Sequence, residues 1–160
     1  MITNNDSQEG LFMTEDSLND DDGVASAAKP QSEDWLLGQI VSVLINGGLQ
    51  IPVTLTIGGS IVTGTMISGY AYFEELAKTF ESAPTTIPSL RDSIAGLMRG
   101  YTAIYPDNPA KESGPDPFIH LKNAEFWAPG QSPLAAGKEV LWRGRLSSVD
   151  GFSIGRFEEG

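Results

Sequence analysis

Apolar and polar residues alternate from Val53 to Ile57, with Val53, Leu55 and Ile57 set against Thr54 and Thr56, and the alternation resumes through Ile61, Thr63, Thr65 and Ile67. A period of two over such a length predicts two strands, each with one buried face. Between them lies Gly58-Gly59, a pair that can take the positive φ of a tight hairpin turn without a Cβ penalty. Gly64 and Gly69 interrupt the second run, and glycine inside a strand marks a bulge, a sharp bend or a close backbone approach. A strand bent there could serve two sheets. At Tyr70 the period becomes helical: Tyr72, Phe73, Leu76, Ala77 and Phe80 form one stripe, which must stop before Pro84.

The flanking regions repeat both periods. Upstream, Ser32 and Asp34 offer N-caps to a helix that carries Trp35, Leu36, Ile40, Val43 and Leu44 at helical spacing and closes at Asn46-Gly47-Gly48. Downstream, Leu90, Ile94, Leu97, Tyr101 and Ile104 make a further stripe, with Arg91 and Arg99 on other faces, and predict a third helix from about Ser89 to Tyr105. Residues 106–117 set four prolines among Asp, Asn, Ser and Gly and read as an exposed loop. Phe118 to Trp127 is a strand, irregular near Asn123, followed by a loop from Ala128 to Gly137. Glu139 to Leu146 and Phe152 to Phe157 then predict a second hairpin about Val149-Asp150-Gly151. The class is α+β: a small, strongly bent antiparallel sheet or barrel of about five strands, with a leading helix and a helical insertion over about residues 70–117.

Composition and charge divide the chain unevenly. Its 160 residues are 40% hydrophobic, enough for one domain with a genuine core, and the lack of cysteine removes disulfides and thiolate chemistry and fits a reducing, cytoplasmic setting. No run approaches the ~20 apolar residues of a membrane span, and the start lacks the basic and apolar regions of a signal peptide, so neither a membrane nor export is expected. Residues 1–34 hold nine acids against one lysine, whereas the remaining twelve acids and nine bases contribute only −3 to the net charge of −11. Residues 1–32 bury too little to offset their ordering entropy and are expected to form a disordered acidic tail ahead of a single domain at 33–160. Within that tail, Leu11-Phe12-Met13 is either a short docking motif or a transient apolar cluster.

Little catalytic chemistry is on offer. His120 is the one histidine, placed in a strand by the alternation of Phe118, His120 and Lys122, and with no second His and no Cys it reads as a surface or interface residue in preference to a base or a metal ligand. Asp20-Asp21-Asp22 is a solvated acidic run, lacking the shaped loop and distal bidentate acid of a cation site. Neither glycine pair belongs to a dinucleotide or phosphate fingerprint. No catalytic, cofactor-binding or metal residue is therefore assigned. The polar-aromatic grouping of interest is Trp142, Arg143 and Arg145, where strand alternation puts both arginines on one face and Trp142 on the other. With Phe118, His120, Phe126 and Trp127 these are the interface candidates, and a solvated strand face is the competing reading. Basic clustering stops at Arg143 and Arg145, which argues against nucleic acid.

Three blocks, TGTMISGYAYFEEL (63–76), FIHLKN (118–123) and WRGRLSSVDGFSIGRF (142–157), resemble the gas vesicle accessory protein U family. The chain departs from the family in its long acidic N-terminus and its Pro-rich centre. The resemblance implies a cytoplasmic bacterial protein without enzymatic activity, which serves hollow buoyancy compartments through contacts with their shell or with other gas vesicle proteins and through self-association. A more distant similarity, in the leading helix, tight turn, bent strand and FIHLKNAEFW, is to the Sm-like barrel, whose parent family forms RNA-binding rings. That is the alternative function, and the acidic balance here opposes it. Edge strands or the Trp142 to Arg145 face are the expected means of self-association into a homo-oligomer.

Overall fold

The computed structural model describes residues 34–105, 116–128, 134 and 137–157. The expected tail at 1–32, its Leu11-Phe12-Met13 group and most of the Pro-rich loop lie outside the described residues. In chain order the elements are α1 (Trp35–Gln39), continued by a π-helical segment (Ile40–Ile45), β1 (Ile51–Ile57), β2 (Ser60–Ile67), α2 (Gly69–Glu81), α3 (Pro88–Gly100) with a 3-10 turn (Tyr101–Ile104), β3 (Phe118–Trp127), β4 (Trp142–Arg145), a second 3-10 turn (Leu146–Ser148) and β5 (Gly151–Ile154). The strands form one antiparallel sheet in the order β4-β3-β2-β1-β5, so the fold is α+β.

The central hairpin forms as its pattern predicts, with Ile57 opposite Ser60 and both turn glycines at positive φ (56° and 81°). Strand β2 is irregular where Gly64 stands, and its pairing with β3 slips between Thr63 and Thr65, across from Asn123 at φ 51°. Gly69 lies beyond the strand, as the first residue of α2. Its role is close approach: the Tyr105 ring occupies the space a Cβ would need. Ser68 caps α2 by accepting a hydrogen bond from the Ala71 amide at 3.1 Å.

The expected second hairpin does not form. Strands β4 and β5 occupy opposite edges of the sheet, because the Asp150 amide donates to Thr56 O (2.9 Å) and its carboxylate accepts from Gly58 N (2.6 Å). Asp150-Gly151 therefore seats a new strand on β1 instead of turning the chain back onto β4. Leu146 is still tied to β3, its amide donating to Pro117 O at 3.0 Å. Four residue steps reach at most ~14 Å, whereas the edges of a flat five-stranded sheet stand ~19 Å apart. The sheet must curl until its edges approach. Among the described residues no ladder joins β4 to β5, so of the expected sheet or barrel the structure is an open, bent sheet.

Alternation along β3 assigns the two layers. Ile119 and Leu121 face a core completed by Val53, Leu55, Val62, Met66, Ala124 and Leu146, and by Leu37, Val41 and Ile45 of the leading helix, all at 5% exposure or less. His120 points the other way, toward α2. That outer face is also crossed by the C-terminal segment, where Gly155 O accepts from Thr54 Oγ1 (2.9 Å), the Phe157 amide donates to Thr63 Oγ1 (3.1 Å) and Arg156 pairs with Glu125 (3.1 Å).

In two helices the apolar residues picked out by spacing lie largely at the surface. The leading helix, capped by the Asp34 carboxylate on the amides of Leu36 and Leu37 (2.9 and 3.1 Å), buries Leu37, Val41 and Ile45 and exposes Trp35, Leu36, Val43 and Leu44. With only Gly38, Gln39 and Ser42 interrupting its apolar residues, periodicity could not choose its buried face. Helix α3 turns Ala95 inward and leaves Leu90, Leu97, Tyr101 and Ile104 exposed. Its inner side is decided by charge and size: Arg99 reaches Glu81 (2.7 Å) and Glu74 (3.5 Å) of α2, and Ala77 and Ala95 are both fully buried as the helices pack.

Candidate functional site

Strand pairing sets Phe118 opposite Arg145 and His120 opposite Arg143. The sequence-predicted candidates thus divide. Phe118, His120, Arg143 and Arg145 share the outer face of β3 and β4. Trp142 lies on the inner face, half-buried against the core with its ring folded over Gly144. Phe126 and Trp127 stand at the far end of β3: Phe126 exchanges backbone bonds with Leu134, and Trp127 meets the Phe157 ring edge-on at 5.1 Å with its indole N–H buried and unpartnered.

His120 is 2% exposed, so of its expected surface or interface position the surface one does not hold. It is roofed by the rings of Tyr72 (4.8 Å between centroids) and Phe73 (6.4 Å) from α2 and of Tyr105 (5.5 Å, edge-on) from the end of the helical segment. Arg143 Nε donates to His120 Nε2 at 3.1 Å, and the guanidinium lies 3.4 Å from the centroid of Phe118. Since arginine only donates, Nε2 carries the lone pair and the ring proton sits on Nδ1. Burial, reinforced by the positive charge of Arg143, lowers the His120 pKa from 6.5 to about 3. Burial also raises Tyr72 and Tyr105, opposed in both by Arg143. Asp116 is raised by burial, although its carboxylate accepts from the Phe118 amide at 3.0 Å; its Oδ2 is buried without a partner.

This cluster joins the helices to the sheet. Its histidine is held neutral by burial and by Arg143, with its lone pair engaged, between the helical layer and the sheet. Among the described residues no group of three or more His, Asp or Glu could hold a metal ion. The partners Tyr72, Phe73 and Tyr105 are not adjacent to β3 in the sequence and the fold brings them there, whereas Asp116 lies just ahead of the strand; the readable signal was Gly69, whose missing side chain admits Tyr105.

The other feature with functional reach is apolar. The leading helix exposes Trp35 (51%), Leu36 (45%), Val43 (59%) and Leu44 (43%), joined by Leu49 in the following turn, on the side away from the inner core. Helix α3, attached through α2 to the opposite face of the sheet, exposes its own apolar stripe. Monomers rarely leave such contiguous patches uncovered. No helix among the described residues is long and apolar enough to cross a membrane.

Residues 34–157 match a family model described as gas vesicle protein GvpU-like. No curated protein and no solved structure matches the chain.

Proposed function

Because the chain belongs to the gas vesicle protein GvpU-like family, we propose that it is a non-enzymatic accessory protein, acting on gas vesicle assembly, clustering or shell contacts through protein surfaces. The observation that carries this reading is the leading helix. Only Gly38, Gln39 and Ser42 interrupt its apolar residues, more than one buried face needs: Leu37, Val41 and Ile45 are buried and Ile40 half-buried against the core, while Trp35, Leu36, Val43 and Leu44 face outward. A gas vesicle protein with an apolar surface of its own supplies the missing cover. The buried His120 with its engaged lone pair supports a binding role over a catalytic one.

Self-association belongs to the same reading. The edge strands β4 and β5 have four residues each, and β4 carries Arg143 and Arg145. Short, charged edges discourage strand addition, so the helical faces are the better means of contact. Co-flotation with purified gas vesicles at cellular salt tests the vesicle contact. The full chain is expected to float with the vesicles, and Val43→Glu to reduce the floated fraction at least ~10-fold, as loss of a central apolar contact does, at unchanged melting temperature. A wild-type protein recovered entirely below the vesicle layer contradicts direct binding.

A further inference from the structure

Helix α3 keeps its charges and its exposed apolar residues on different halves. Its charged residues Arg91, Asp92 and Arg99 all lie on the half of the helix that includes the side packed on α2, where Arg99 is used in ion pairs. The other half, an arc of roughly 200° at 100° per residue, is Ser89, Leu90, Ser93, Ile94, Gly96, Leu97, Gly100 and Tyr101, continued by Ala103 and Ile104 in the 3-10 turn. It contains no charge. Apart from half-buried Ile94, every residue of it is exposed, Leu90 at 52%, Leu97 at 54% and Ile104 at 65%. Exposed helix faces ordinarily carry the charge, and its depletion is what marks the centre of an interface.

The relief of this face names its occupant. Leu90, Ile94, Leu97, Tyr101 and Ile104 form a ridge, and beside it Ser89, Ser93, Gly96 and Gly100 form a shallow groove; a Cβ at either glycine would meet nothing within 4 Å. Ridge and groove side by side on one helix are the self-complementary pattern that a two-fold contact requires. Leu97 stands seven residues from both Leu90 and Ile104. In an antiparallel pair it lies at the axis, and each ridge enters the partner's groove. With Ile87, also exposed, these side chains offer on the order of 500 Å² of apolar surface, at the upper end of what a monomer tolerates and more than half of the ~800 Å² that each partner gives to a standard interface. No like charges are brought together, because the face has none.

We infer that α3 is a homodimer interface, pairing antiparallel with α3 of a second copy about Leu97. This deepens the self-association in the proposed function, and it is measured without vesicles, so its failure leaves the vesicle-binding helix untouched. The full chain should run as a dimer of twice 17.1 kDa in light scattering. Leu97→Glu, which sets two carboxylates at the axis, and Gly100→Leu, which fills the groove, should each raise the dimer dissociation constant at least ~30-fold, the loss that a hot-spot contact produces. Neither position is buried, and unchanged circular dichroism will show that each variant is folded. Because the chain has no cysteine, Leu97→Cys is the only thiol in its variant and should oxidise to a covalent dimer, whereas Lys78→Cys on the exposed side of α2 should not. A monomeric wild type overturns the proposal, as does a dimer that both α3 variants leave intact or one in which Leu97→Cys fails to cross-link.

Discussion

The leading helix and α3 both turn apolar residues to solvent, but they are attached to the molecule in opposite ways. The leading helix buries Leu37, Val41 and Ile45 in the main core, so its inner face contributes to folding and its outer face is an additional apolar surface. Helix α3 is held through Ala95, through the Tyr101 ring on Phe73 (5.4 Å between centroids) and through ion pairs from the exposed Arg99 to Glu74 and Glu81, and it leaves Leu90 and Leu97 outside with Ile94 and Met98 half-buried. One helix has apolar surface to spare; the other has given its apolar surface up to contact. The sheet between them repeats the contrast, with an all-apolar inner face and an outer face on which the buried His120 accepts from the exposed Arg143.

The sharpest way to break this comparison is to truncate matched leucines. Leu37→Ala should destabilise the fold by ~2–5 kcal/mol, the cost of emptying a packed core site, while Leu97→Ala should change stability by no more than ~0.5 kcal/mol at a concentration where the protein is monomeric; denaturant melts of both variants check the pair. Next in size is Gly69→Ala. Its methyl group would displace Tyr105, so a loss of ~1–3 kcal/mol is expected from overpacking, together with a changed tyrosine near-ultraviolet signal reporting loosening between α2 and β3.

The His120 pair should appear in the pH dependence. Because folding lowers the His120 pKa to about 3, the unfolded chain binds the extra proton below 6.5, and stability should fall with acidification between about 6.5 and 3 by up to ~1.4 kcal/mol per pH unit. Asp116 acts in the opposite sense: its raised pKa lets the folded state bind a proton above 3.8, offsetting part of the loss in the acid limb. His120→Gln should flatten the curve between pH 6.5 and 5, and an unchanged slope would remove histidine as its cause. The smallest effect belongs to Arg99→Ala. Its ion pairs are exposed and screened, so the melting temperature should barely move.

The hairpin, the α2 stripe, β3 with its irregularity and the Asp34 cap were legible because each is local: period, turn chemistry and capping act within a few residues. The pairing of β4 and β5 was not. Asp150-Gly151 has the chemistry of a hairpin turn, and only the distant Gly58 amide and Thr56 carbonyl redirect it. The orientation of α3 was not legible for a related reason, since the stripe of Leu90, Leu97 and Ile104 marks an apolar face without saying whether its own chain covers it. Of the candidate residues, Phe118, His120, Arg143 and Arg145 do meet, but as part of a layer contact whose other members come from α2 and the helical segment.

Hydrogen exchange on the full chain, alone and with intact gas vesicles, tests most directly whether the outward half of the leading helix is a vesicle contact. Amides from Trp35 to Ile45 should gain protection when vesicles are added, while those of β1 and β2, already secured in the core, should not change. Protection that is absent from the leading helix, although the protein is bound, would contradict the account.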